Sequence, residues 1–357
     1  MHFTRHPLNP IITPGLYPWR LATVFNPAAI LHDNRVHLFE RAAGSLRPFI
    51  CAIGHLVSDD GVHFTHASDQ PVLTPEMCGS KYGSVQDPRV VKIDSTFYMN
   101  FAYRPFAWSS HPTGVGVPES HETDFPNVTR APIDTATSSA NVSGGRPDNF
   151  TRSGLATSID LAHWSFHSFV SPPTIDDRNG ILFPEKIGGK FAILRRPLHS
   201  VGPKYHTPGP SIWLSFSDDL QSWSDPTLLA RPEFPWEDNR IGGSTPPIKT
   251  PHGWLLLYHA VQTLPAPYSS KQNAVIYRLG AMLLDLHDPT KILARSKVPI
   301  MEPEAYYEKT GLYIPNVIFP TGSVILNDLL HLYYGCCDTS IALATCPLQD
   351  ILDHLLS

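Results

Sequence analysis

The chain has 357 residues, 42% of them apolar and 17% charged, which supplies a sizeable core and carries no signature of disorder. A formal charge of −5 and a pI near 6.4 argue against a general nucleic-acid binder, which needs a basic stripe. The start, Met1-His2-Phe3-Thr4-Arg5-His6-Pro7, lacks a charged stretch followed by an apolar one, and no apolar run approaches the roughly 20 residues that span a bilayer. No membrane or nucleic-acid partner is expected, and the cytoplasm is the expected compartment.

Residues 1–25 read as a leading loop with a strand suited to closing a ring of sheets. From there a single design recurs five times: a proline-anchored polar group, a β-rich run, a tight turn and a second strand. The anchoring prolines are Pro27, Pro88, Pro184, Pro247 and Pro320, and the turns fall at Asp33-Asn34, Asp94-Ser95, Gly188-Gly189, His252-Gly253 and Asn327-Asp328. Roughly even spacing predicts an all-β, five-bladed β-propeller, one domain over residues 1–357. Hairpins alone fit a β-sandwich equally well. The polar residues tip the balance. Asn26 and Arg41, Asp87 and Tyr103, Glu185 and Arg196, His259 and Asp338 all stand beside an anchoring proline or at the end of a second strand. In a propeller the innermost strands ring one axis, so these groups converge in a central funnel.

Within the chain, Ser58-x-Asp60, Ser158-x-Asp160 and Ser217-x-Asp219, each followed by an aromatic residue, read as outer turns of blades and not as catalytic motifs. The 104–153 segment, rich in Pro, Ser, Thr, Asn and Gly, interrupts the second blade. With Phe106, Trp108 and His111 directly after a strand end, it is expected to be a lid or subsite wall. Three Asn-x-Ser/Thr triplets inside it, at Asn127, Asn141 and Asn149, are discounted as compositional. Apolar residues at 348, 351, 352, 355 and 356 predict a short C-terminal amphipathic helix. The cysteines at 51, 78, 336, 337 and 346 have no metal-ligand spacing, and the adjacent pair reads as a buried strand end.

No phosphate-cradling Gly-rich loop, HExxH or GxSxG is present. What remains is a constellation of carboxylates, Asp87, Glu185, Glu237 and Asp338, with Arg41, Arg89, Arg178, Arg196, Arg240 and His259. Acids and aromatic faces around a funnel suit sugar chemistry, in which one carboxyl protonates a leaving oxygen. Singly, each is as well explained by structure: Asp87 as a turn cap, Glu185 as one half of an edge ion pair.

Gln86-Asp87-Pro88-Arg89-Val90, Arg178-Asn179-Gly180-Ile181-Leu182-Phe183-Pro184-Glu185-Lys186-Ile187, Arg240-Ile241-Gly242-Gly243-Ser244-Thr245-Pro246-Pro247-Ile248, Gly253-Trp254-Leu255-Leu256-Leu257-Tyr258-His259, Pro315-Asn316-Val317-Ile318-Phe319-Pro320 and Tyr334-Gly335-Cys336-Cys337-Asp338-Thr339 resemble glycoside hydrolase family 130, in the family's order. The resemblance implies inverting cleavage of β-mannosides, by phosphorolysis to α-mannose 1-phosphate or by hydrolysis. It implies that Asp87 is the catalytic acid, its proton reaching the glycosidic oxygen through the sugar's own 3-hydroxyl. Arg41 and Asp338 match residues that hold the mannose, with Asn26, Arg89 and Tyr103 expected beside them. Arg178, Asn179, Arg196 and His259 match phosphate-binding positions, and Arg240 stands where many phosphorylases have lysine. Phosphorylase is the favoured reading, because arginines converging on one funnel make a good oxyanion site. A hydrolase is the alternative, with Glu185 or Glu237 activating water. A non-catalytic sugar-binding propeller is the third. The expected partner is a mannose-containing oligosaccharide, with no cofactor beyond inorganic phosphate as co-substrate, and a homo-oligomer is not excluded.

Overall fold

The computed structural model describes residues 1–46, 48–105, 150–264, 275–312 and 314–357. After β1 (Thr4–Arg5), blade one is β2 (Thr23–His32), β3 (Arg35–Ala43), β4 (Cys51–Ser58) and β5 (Thr65–His66). Blade two is β6 (Ser84–Ile93), β7 (Thr96–Arg104), β8 (Arg152–Ser158) and β9 (Ser165–Phe169). Blade three is β10 (Asp177–Leu182), β11 (Phe191–Pro197), β12 (Ile212–Ser217) and β13 (Thr227–Ala230). Blade four is β14 (Arg240–Gly243), β15 (Ile248–Thr250), β16 (Gly253–Thr263), β17 (Val275–Leu284) and β18 (Ile292–Arg295). After helix α1 (Tyr306–Lys309), blade five is β19 (Ile318–Leu326), β20 (Leu329–Cys336) and β21 (Ser340–Pro347), and α2 (Leu348–Leu356) ends the chain.

Each blade is an antiparallel meander, and β1 completes the fifth by pairing with β21, Thr4 opposite Thr345. The two ends of the chain therefore share one sheet, which closes the ring and leaves β21 no free edge. The inner hairpins turn on residues that tolerate positive φ: Asp33 and Asn34, Gly188 and Gly189, Asn327 and Asp328. In blade four Thr250 pairs with Gly253, so that turn sits one residue earlier than the His252-Gly253 pair expected from sequence.

The core lies in the seams between blades. Phe39 and Ile53 of blade one share a core cluster with Val90 and Phe101 of blade two, as do Leu155 with Ile193, Leu214 with Trp254, Leu257 with Ile318, and Tyr333 with Val36. Every blade thus buries both faces, and blade five packs on blade one. Helix α2 lays Ile351, Leu352 and Leu355 into the seam between blades four and five. At the end of the axis nearest the inner turns, a channel of about 290 Å³ is lined by residues 29–31, 90–92, Pro184, Pro246–Ile248 and 323–325, one set from each blade. Pro184 and Pro247 line it directly, while Pro27, Pro88 and Pro320 lie on the innermost strands.

The Ser-x-Asp turns are structural, as expected. In each, the serine hydroxyl and one aspartate oxygen accept successive backbone N–H groups, as at Ser58 and Asp60. Of the expected lid, residues 104–153, positions 106–149 lie outside the described residues, as do Asn127, Asn141 and Asn149, while Arg104 belongs to β7 and Arg152 and Ser153 to β8.

Candidate active site

The innermost strands of blades one, two and three carry a β-bulge at the same place. The ladder skips from Phe25 to Ala28, from Gln86 to Arg89 and from Arg178 to Ile181. The first bulged residue is Asn26, Asp87 or Asn179, with φ of 45°, 51° and 54°. Asparagine and aspartate tolerate the left-handed region better than other side-chain-bearing residues. A bulge re-aims a side chain that a regular strand would leave in the alternating pattern. The residue paired just before the bulge is Arg41 in blade one and Arg196 in blade three, so these arginines are structural counterparts.

Blades one, two and five supply an acidic half. Asp87 Oδ1 accepts from Asn26 Nδ2 at 2.8 Å and from Arg41 Nη1 at 2.8 Å. Arg41 is held from behind: Phe25 and Phe49 lie on its guanidinium at 4.2 and 5.6 Å, and its Nε donates to Cys51 Sγ at 3.3 Å. Burial pushes the Asp87 carboxyl up, but Arg41 and Arg89, with the bonds from Asn26 and Arg41, outweigh it and hold Asp87 below the usual carboxylate range. Asp338, in the turn after β20, is the reverse. Burial raises it, Arg41 opposes that, Asp87 adds to it, and it is pushed up to about 7.

Blades three and four supply a basic half. Arg196 Nη1 donates to His259 Nε2 at 2.9 Å, and Asn179 Nδ2 lies 3.4 Å from the same nitrogen. Burial, then the charges of Arg196, Arg89 and Arg240, press His259 well below its usual range, so it is neutral. Burial and the neighbouring Arg240 and Arg178 draw Arg196 down to about 9. Arg178 Nε contacts Asp176 at 3.3 Å, and Arg240 reaches the Tyr277 hydroxyl at 2.5 Å. Among the described residues no acidic side chain bridges the guanidinium of Arg196 or Arg240. Arg89 joins the halves: its Nη1 donates to the Asp87 carbonyl at 2.7 Å and its Nε to the Ser244 carbonyl at 3.0 Å. Asn26 Oδ1, Arg89 Nη2 and Arg196 Nε are buried without a protein partner, the state of groups that a ligand satisfies.

Three expected site residues are not at this centre. Glu185 lies toward the inner turn, half-exposed and paired with Lys249 Nζ at 2.6 Å. The reason is register: the counterpart of Asn26-Pro27 and Asp87-Pro88 is Asn179-Gly180, not the sequence around Pro184, so Glu185 falls beyond the site position at Asn179, toward the inner turn. Glu237 is fully buried, accepting from Tyr258 Oη at 2.7 Å, Arg295 Nη2 at 2.8 Å and the backbone N–H groups of Glu233 and Phe234. Both of its oxygens are taken up by these bonds. Blade five repeats the device: Glu308 accepts from Tyr334 Oη at 2.7 Å, Arg5 Nε at 2.8 Å and the N–H groups of Glu304 and Ala305. Tyr103 packs into the seam of blades one and two, its ring 5.1 Å from Phe169.

Other residues were not anticipated. The Tyr277 ring lies 6.3 Å from His259 at 22°, and Phe319 lies 4.6 Å from His259 and 5.7 Å below Arg89. Phe319 precedes an anchoring proline, and Tyr277 sits across the ladder from Val261, two residues beyond His259, so a pairing register would have indicated both.

The family model for glycoside hydrolase family 130, described as β-1,4-mannooligosaccharide phosphorylase, matches residues 12–142 and 143–356. The chain is 36% identical over 350 residues to the 1,2-β-oligomannan phosphorylase of Thermoanaerobacter sp. (strain X514), covering 96% of both. It is 35% identical over 356 residues to the β-1,2-mannobiose phosphorylase of the same organism, again covering 96% of both. Its fold matches the β-1,2-mannobiose phosphorylase of Listeria innocua solved with β-1,2-mannobiose, with a TM-score of 0.74 and 27% identity, covering 100% of this chain and 99% of that one.

Proposed function

The chain belongs to glycoside hydrolase family 130, and from that premise we propose that it is an inverting β-mannoside phosphorylase, with β-1,2-linked mannosides as substrate. In the reaction a phosphate oxygen attacks C1 of the terminal mannose from the face opposite the leaving group. The C1–O bond to the next sugar breaks, and the proton of Asp87 goes to the departing oxygen. The products are α-mannose 1-phosphate and a mannoside one sugar shorter. Arg178, Arg196, Arg240 and neutral His259 bind the dianion, Asn179 fixes the imidazole, and Arg41, Asn26 and Asp338 hold the mannose beside the acid.

The observation that carries this reading is the basic half itself. Arg196 is buried and Arg240 half-buried, neither with a carboxylate across from it among the described residues; such cations favour a bound anion, and charge-assisted bonds to phosphate are the strong kind. The hydrolytic alternative needs a carboxylate to activate water, and the two proposed for it, Glu185 and Glu237, are engaged elsewhere. The soluble partner is the oligosaccharide; the compartment is proposed to be the cytoplasm, where phosphate is abundant. Incubation with β-1,2-mannobiose, with and without inorganic phosphate, tests the reading. Mannose 1-phosphate formed only with phosphate supports it, and free mannose released at the same rate in phosphate-free buffer overturns it.

A further inference from the structure

We propose that phosphate binding and protonation of Asp87 are linked, with Arg89 as the positioning residue that couples them: the acid holds its proton once phosphate occupies the basic half. The proposal rests on the phosphorylase reading and deepens it.

The geometry sets a problem that the linkage resolves. A general acid must carry a proton, yet Asp87 Oδ1 lies 2.8 Å from Arg41 Nη1 and 2.8 Å from Asn26 Nδ2, both donors suited to a carboxylate. Arg89, on the same strand, is 2% exposed, so solvent does little to screen it. Its Nη1 is tied to the Asp87 carbonyl and its Nε to the Ser244 carbonyl, while Nη2 is buried without a partner. Arg178 has Asp176 beside it, but among the described residues no carboxylate pairs with the guanidinium of Arg89, Arg196 or Arg240, and Asp87 lies in the field of Arg41 and Arg89. That field expels a proton from Asp87, which is held below the usual carboxylate range.

A phosphate dianion among Arg89, Arg196 and Arg240 offsets much of the positive charge that faces Asp87. Each negative charge brought beside Arg89 weakens its hold on the Asp87 carboxylate and favours the neutral acid. Reciprocity follows from thermodynamics: if phosphate favours the protonated acid, the protonated acid favours phosphate. The charged groups facing Asp87 are Arg41 from β3, Arg89 from its own strand and Asp338 from the turn after β20. His259 and Asp338 are the two competitors for a proton drawn in by phosphate. The order of events is then built into the site, since an acid armed before phosphate arrives would invite attack by water.

Calorimetric titration of inorganic phosphate into the enzyme near pH 6, in buffers of different ionisation enthalpy, measures protons taken up per phosphate bound. The wild type is expected to take up a large fraction of one proton more than Asp87→Asn, phosphate's own ionisation being common to both. Equal uptake in the two proteins overturns the proposal and assigns the proton to His259, Asp338 or the ligand. Binding without uptake also overturns it. No phosphate binding at all instead overturns the phosphorylase reading on which it rests. A second measurement needs no variant: the alkaline limb of the rate at saturating phosphate should lie about one pH unit or more above that at limiting phosphate. Coincident limbs overturn the linkage.

Discussion

Asp87 differs from Asn26 and Asn179, its counterparts on blades one and three, by a single functional group. All three sit at φ near 50° in equivalent bulges, but only the carboxyl can deliver a proton. Asp87→Asn is therefore expected to keep the bulge and the fold and to lose about 10²–10⁴-fold in turnover, measured with β-1,2-mannobiose and phosphate. Retained turnover would move the acid elsewhere, and Asp338 is then the group to test. Arg196→Ala removes the donor to His259 Nε2 and a cation facing the anion site. It should raise the KM for phosphate steeply and leave sugar binding in the absence of phosphate close to normal. Glu237→Gln makes the contrasting case. Breaking a buried ion pair costs about 3–5 kcal/mol, so chemical denaturation should show a large loss of stability. At temperatures where the variant is folded, its turnover should remain near wild type.

At the scale of elements, the innermost strands do two jobs at once. Their regular halves pave the apolar channel near the turns, and their bulged halves present polar side chains at the other end. The strand β1 has a different role. Its two residues pair with β21, and Arg5 bonds the buried Glu308 and the Glu302 carbonyl. Removal of residues 1–6 should expose the β21 edge, strand Glu308 without its cation and lower the melting temperature by several degrees in a thermal scan. An unchanged melting temperature would show that closure depends on the seams alone. Blade one carries a pH-sensitive pair: His37 Nδ1 and His55 Nε2 are 3.0 Å apart on β3 and β4. Burial, then His37, lowers His55 from 6.5 to about 4. A lowered histidine favours the neutral form in the fold. Its contribution is complete above about pH 6.5 and is lost as pH falls toward about 4. Denaturation curves at pH 7 and pH 5 should show that decline, and His55→Gln should flatten it.

For the whole molecule, the ring brings together residues that no single blade could. Asn26, Asp87, Arg196, His259 and Asp338 come from five different blades and meet because their strands share one axis. The division into an acidic and a basic half follows blade order: five, one and two on one side, three and four on the other. Arg89 crosses between them. Such a site has no local version; opening the ring removes it entirely. Any condition that separates blades five and one should abolish turnover together with the sheet signal in circular dichroism, and not before it. Activity lost well ahead of the sheet signal would indicate that the site is governed by something other than ring closure.

The chain by itself determined the number of blades, most of the inner turns and the type of each strand. These depend on short-range facts: alternation, turn residues with positive φ and prolines that anchor each repeat. Asp87, Arg41, Arg196, His259 and Asp338 were legible for the same reason, each having a fixed offset from a repeat landmark. Glu185 lies away from the centre because the third repeat has Gly180 where the first two have the proline after the bulge, which makes Pro184 a false landmark. Glu237 was misread because burial is not local. Its partners Tyr258 and Arg295 are 21 and 58 residues away, and only packing shows that they consume its oxygens. The same holds for Tyr277 and Phe319, whose contact with His259 comes from the pairing of β16 with β17 and the packing of blade four against blade five. Tertiary structure alone decided the charge state at the centre. An aspartate has no fixed pKa in a sequence; it acquires one from the arginines that the fold places beside it.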